Sequence, residues 1–168
     1  CIEAYKKASE MFDYPLHLGV TEAGTMMTSA IKSTLALGNL LLDGIGNTIR
    51  ISVNGAPQKE IPIVKELLKS CNLIQNVPNL IACPTCGRTQ WDMEPVVNEI
   101  EQYLQTVHKN ITVAIMGCAV NGPGEAKYAD IAIAGGKNEG LLIKKGEIIE
   151  KIPQQEMVQR LKQEIAAF

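Results

Sequence analysis

The 168 residues are 46% apolar and 20% charged, enough for one substantial core or two small ones and too apolar for a disordered chain. A net charge of -2 with interspersed signs gives no basic footprint for nucleic acid and no polybasic strip for anionic lipid, so small molecules and proteins are the expected partners. Apolar stretches are broken by Gly, Asp or Lys well short of a membrane span and no charged-then-apolar leader opens the chain, which makes a cytoplasmic location the expectation.

The chain starts on Cys1, not Met, and "CIEAYKKASEMFDYP" spaces Ile2, Tyr5, Ala8 and Phe12 at helical intervals. The expectation is a helix belonging to something longer. "YPLHLGVTEAG" is a short apolar strand closed by Gly24, and "TSAIKSTLALGNLLLDG" has helical periodicity ending at Gly44. "NTIRISVNGAP" reads as a strand ended by Asn54-Gly55, and "PQKEIPIVKELLKSCN" as a helix with Pro57 in its first turn. Helix, strand, helix, strand, helix is the pattern of parallel β/α units, and two strands cannot close a sheet alone.

The pattern changes near Val77-Pro78, taken as the boundary between a first part, residues 1–77, and a second, residues 78–168. "NLIACPTC" is a strand running into paired thiols, "DMEPVVNEIEQYLQTVHK" an amphipathic helix and "ITVAIMGC" a second buried strand. "ADIAIAGG" and "EGLLIKKGEIIEKI" are strands around glycine turns, and "QQEMVQRLKQEIAAF" is a closing helix. The second part is thus a compact α+β module.

Five cysteines, an odd number, fit reduced thiols that include metal ligands better than a secreted disulfide framework. Cys-x-x-Cys lets two sulfurs face one ion from a tight turn, and Pro84 stiffens that turn by fixing its own φ. By itself the pair is equally a zinc site, an iron–sulfur site or a redox dithiol, since glutaredoxin-like sites also carry a proline there. Cys118 ends "ITVAIMG" much as Cys83 ends "NLIA", so adjacent parallel strands would bring Cys83, Cys86 and Cys118 to one edge, suited to iron–sulfur or zinc. The "NGPG" turn can return Glu125 toward the same point as a harder, more exchangeable fourth ligand. A structural zinc-binding domain and a small thiol–disulfide redox protein are the alternatives. Cys71, among Leu67, Leu68 and Leu73, reads as a small core side chain.

"ACPTCGRTQWD" followed by "IMGCAVNGPGEAKYADIAIAGG" resembles the cluster domain of the IspG/GcpE family, the 4-hydroxy-3-methylbut-2-enyl diphosphate synthases of the non-mevalonate isoprenoid pathway. "YPLHLGVTEAG" and "LLLDGIGNTIRIS" are similar to the last part of that family's TIM barrel, and the resemblance runs in order over essentially the whole chain. It implies α/β plus α+β architecture: the last β/α units of a TIM barrel followed by a ferredoxin-like, sulfite reductase-like α+β iron–sulfur domain. It implies that Cys83, Cys86, Cys118 and Glu125 ligate a [4Fe-4S] cluster. The implied reaction is the reductive opening and dehydration of 2-C-methyl-D-erythritol 2,4-cyclodiphosphate, with electrons from ferredoxin or flavodoxin and a homodimer in the full-length protein. Glu22, at the end of "LHLGVTE", is implied as a proton donor, and Arg50 and Ser52, alternating along "TIRIS", as substrate-binding positions. His17 is equally a core histidine or a site residue, Lys32 is expected to be solvated, and Trp91 and the tyrosines are expected to pack. Arg88 is either a partner of the cluster or substrate or part of the cap of the following helix region, and Asn121 serves its own turn. With most of a barrel absent, this chain is expected to hold a cluster without turning over substrate.

Overall fold

A computed structural model describes residues 1–22 and 24–168. The chain forms two compact units, Cys1–Ile74 and Gln75–Phe168, a boundary three residues before the one expected from the sequence. Among the described residues no helix is long and apolar enough to cross a membrane.

The first unit runs α1 (Ile2–Met11), β1 (His17–Gly19), α2 (Met26–Leu42), β2 (Thr48–Arg50) and α3 (Glu60–Ser70). α2 starts where Thr25 Oγ1 accepts the N–H of Thr28, and it ends before Gly44, whose φ of 75° is the left-handed conformation that stops a helix cheaply. The stretch containing Pro57 is a 3-10 turn, Pro57–Lys59, rather than the first turn of α3. β1 and β2 pair in parallel, with Leu18 opposite Ile49 and Gly19 opposite Arg50. Each is only three residues long, shorter than its apolar stretch. The core is Leu18, Leu37, Leu40, Ile51, Val53, Ile63 and Leu67, so one face of the strand pair is sealed by helices. Cys71 packs against that core as expected.

The second unit contains β3 (Asn79–Ala82), α4 (Glu94–Leu104), β4 (Thr112–Met116), the single turn α5 (Gly122–Glu125), β5 (Ile131–Gly135), β6 (Glu139–Lys144), β7 (Glu147–Pro153) and α6 (Met157–Ala167). Its five strands lie in sequential order, β3-β4-β5 parallel and β5-β6-β7 antiparallel. This departs from the βαββαβ order of a ferredoxin-like module. Both links are short: residues 136–138 turn β5 into antiparallel β6, and Lys145 and Gly146, at φ 51° and 83°, make the two-residue turn into β7, so the last three strands form a meander with no helical crossover.

Alternation splits the sheet into two faces. Val113, Ile115, Ile131, Ile133, Leu142 and Ile152 pack against Ile100 and Leu104 of α4 and Leu161 and Ile165 of α6. The opposite face is built of smaller side chains, Ala114, Ala132 and Ala134 with Met116 and Ile143, over which Ala126 and Ala129 fit. That face lets the segment after β4 lie close on the sheet.

Candidate metal centre

β3 and β4 are parallel and in register from Asn79–Thr112 to Ala82–Ile115, so their C-terminal ends share one edge of the sheet. Cys83 directly follows β3, and its N–H extends the ladder to the Ile115 carbonyl at 2.9 Å. Cys118 lies two residues beyond β4 and is half-buried. The two thiols thus leave neighbouring strands at the same edge, as the sequence suggested.

Cys86 is exposed and stands in a reciprocally bonded turn: its N–H donates to Thr89 Oγ1 at 3.2 Å, and the Thr89 N–H donates to the Cys86 carbonyl at 3.0 Å. Thr85, between the two thiols, has φ 65°, a conformation a β-branched residue rarely adopts. The Cys86 turn is carried onto β4's end, since a side chain built on Gly117 would meet Thr89 Oγ1 at 2.6 Å and Met93 Sδ at 3.1 Å. Gly117 immediately precedes Cys118. Neither Thr85 nor Thr89 is distinguishable from solvated loop residues in the sequence.

The segment after Cys118 folds back on it. The Asn121 N–H donates to the Cys118 sulfur at 3.4 Å, and the Gly122 N–H to its carbonyl at 3.0 Å. Both donors are main-chain groups of the turn itself. The Cys118 thiol is held below its ordinary pKa, first by that Asn121 bond and further by the neighbouring amides and the positive charge of Arg88, while burial works in the other direction. The hydrogen bonds and the Arg88 charge outweigh burial and favour the thiolate, the form that binds metal. Glu125 closes α5, exposed, with its own N–H bonded to the Asn121 carbonyl at 3.0 Å and no partner for its carboxylate among the described residues.

All five cysteines are free thiols. Among the described residues no three His, Cys, Asp or Glu side chains are gathered tightly enough to hold a single ion. The donor set nevertheless fits an iron–sulfur group in its chemistry: two unpaired thiols leave adjacent strand ends and a third stands in the turn three residues after the first, and the Cys118 sulfur, favoured as thiolate, accepts a backbone N–H. Trp91 packs as expected, 8% exposed, with its indole N–H buried and unpartnered, whereas Tyr14 and Tyr128 are exposed, against the expectation that the tyrosines pack.

The first unit carries the other expected site residues. Arg50 and Thr21 are joined by a bond from the guanidinium to Oγ1 at 3.2 Å. Ser52 is half-buried just past β2, and Glu22 is exposed past β1. Lys32 is exposed, as expected, with its Nζ 3.5 Å from the exposed Glu22 carboxylate. His17 begins β1, at the N-terminal end of the strand pair, where its Nδ1 lies 2.8 Å from Thr48 Oγ1. That is the end away from Thr21 and Glu22, and the ring is exposed rather than part of the core.

These features define an α/β protein of two units, one with a polar strand face bearing an arginine, the other with a thiol-lined edge of parallel strands. The chain belongs to the GcpE family: the GcpE TIM-barrel domain matches residues 1–65 and the GcpE protein C-terminal domain matches residues 79–167. Curated relatives named 4-hydroxy-3-methylbut-2-en-1-yl diphosphate synthase (flavodoxin) are 54% identical in Bacillus pumilus (strain SAFR-032) and Bacillus velezensis, and 53% in Bacillus cereus (strain G9842). Each match spans 164 residues, 98% of this chain and 44% of the relative, so the chain covers less than half the length of these proteins.

Proposed function

We propose that this chain is the C-terminal part of a 4-hydroxy-3-methylbut-2-enyl diphosphate synthase, its first unit the last β/α units of a TIM barrel and its second the cluster-binding domain. The observation that carries the reading is the shared edge: Cys83 and Cys118 end adjacent parallel strands, and the Cys86 turn packs on the residue before Cys118. Cys83, Cys86 and Cys118 would hold a [4Fe-4S] cluster, with Glu125 as the fourth, oxygen ligand. When bound, such a cluster supplies electrons and, at the carboxylate-held iron, an exchangeable Lewis-acidic position.

The reaction adds two electrons and two protons to 2-C-methyl-D-erythritol 2,4-cyclodiphosphate, breaks the ring C–O bond to the diphosphate and releases one oxygen as water. Arg50 and Ser52 bind the diphosphate, the guanidinium offering a fork that matches phosphoryl oxygens. Glu22 holds the proton that departs with the leaving oxygen. Flavodoxin, which appears in the relatives' names, is the proposed electron donor, with ferredoxin as the other candidate. The complete protein is proposed to act as a cytoplasmic homodimer, in keeping with thiols that need a reducing compartment.

The test is anaerobic turnover by the complete enzyme, with reduced flavodoxin and the cyclic diphosphate. Formation of the linear diphosphate by the parent protein, with loss of it in Cys118→Ser and Glu125→Ala, supports the reading. Undiminished activity in Glu125→Ala removes that residue from the mechanism, and no product from the fully loaded parent refutes the assignment.

A further inference from the structure

Barrel strands ordinarily fill their inward layers with Val, Ile and Leu. The β1–β2 pair does otherwise. With Leu18 and Ile51 committed to the helix-covered core, alternation leaves His17, Gly19 and Thr21 on the opposite face together with Thr48, Arg50 and Ser52, and no apolar side chain larger than glycine among them. On that face Gly19 stands directly opposite Arg50.

The guanidinium lies across Gly19. A Cβ built there would be 3.1 Å from Arg50 Nη2, 3.3 Å from Cζ and 3.3 Å from Nε. Near-equal distances to three atoms of one planar group mean that its flat face, not its edge, is turned to the glycine. One of its five N–H donors is taken by Thr21 Oγ1 at 3.2 Å, and Arg50 has no carboxylate partner among the described residues. The remaining edge donors are therefore presented sideways along the polar face, at a cation fixed from below and from one end.

We infer that Gly19 and Thr21 are positioning residues for Arg50, together setting the plane of its guanidinium for two-point recognition of a diphosphate. The inference rests on the proposed function, because that reading supplies the diphosphate. Gly19 acts by leaving the space in which the guanidinium lies flat, and Thr21 by fixing its rotation about the side-chain axis. Flexible Arg binds phosphate anyway; what the two residues add is a pre-set orientation, which lowers the ordering cost of binding.

The experiment measures KM and kcat of the complete, cluster-loaded enzyme, and competitive inhibition by inorganic pyrophosphate, in Gly19→Val, Thr21→Val, Thr21→Ser and Arg50→Lys. The expected result is a rise in KM and in the pyrophosphate inhibition constant of about tenfold for Gly19→Val and several-fold for Thr21→Val, with kcat within about twofold, since uniform binding is what is lost. Thr21→Ser, which keeps the hydroxyl, should restore the parent values. Adding Arg50→Lys to Gly19→Val should cost less than the two separately, because both act on one group. Unchanged KM and inhibition in Gly19→Val and Thr21→Val, alongside a loss in Arg50→Lys, overturns the positioning role while leaving diphosphate binding by Arg50 intact. Unchanged values in Arg50→Lys as well overturn the diphosphate assignment itself.

Discussion

Thr89 lies on Gly117: its Oγ1 occupies the position 2.6 Å from where any side chain at residue 117 would begin. The same hydroxyl accepts the Cys86 N–H at 3.2 Å, so one threonine ties the second thiol to the strand end that carries the third. Gly117→Ala should lift the Cys86 turn from β4. The expected outcome is a destabilisation of about 1–3 kcal/mol, the usual cost of overpacking, with the secondary structure retained. Iron content after anaerobic reconstitution should fall further than the stability loss explains. Urea unfolding and an iron assay on the same preparation measure both.

Glu164 on α6 receives Lys144 of β6 at 3.0 Å and Arg160 at 3.3 Å, while Arg160 also reaches Glu150 of β7 at 2.8 Å. Its carboxyl is held below the ordinary value of 4.5, first by the Lys144 hydrogen bond and also by the charges of Lys144 and Arg160, with burial opposing. A carboxyl with a lowered folded-state pKa contributes stability that is complete above the unfolded value and disappears as pH falls through the folded one. The parent should therefore be more stable than Glu164→Gln at pH 7, with the difference shrinking only below about pH 4.5. Urea midpoints of both proteins from pH 7 to pH 3 test this, and a difference independent of pH would disprove it.

Lys109, in the loop before β4, donates to the carbonyls of Ile165 at 3.2 Å and Ala166 at 2.8 Å. These belong to the last turn of α6, where carbonyls lack helical partners and the helix dipole is negative. Lys109→Met should cost about 1 kcal/mol, and Lys109→Arg should recover part of it. Equal urea midpoints for parent and Met variant would show that the cap contributes nothing.

Much of this arrangement was legible because the thiols follow strands. Two apolar runs, "NLIA" and "ITVAIM", each followed within two residues by Cys, suffice to place Cys83 and Cys118 at one edge once the strands are parallel neighbours. The alternation of Arg50 and Ser52 likewise located the polar face of β2. Strand order was harder, because a meander and a crossover use the same strands and differ only in turns such as Lys145-Gly146. The role of Thr89 was invisible because it acts through space, on a glycine 28 residues away in the sequence. His17 stayed open in the sequence, since alternation assigns its face but not which end of the strand meets a ligand.

The most direct measurement is the iron and sulfide content of this chain, reconstituted without oxygen and read together with its visible absorption and zinc content. About four irons and four sulfides per chain, a broad brown absorption band, and loss of both on replacing Cys83, Cys86 or Cys118 singly, is the expected result. One tightly held zinc with no sulfide, or a Cys83–Cys86 disulfide that forms reversibly and is indifferent to Cys118→Ser, would contradict it.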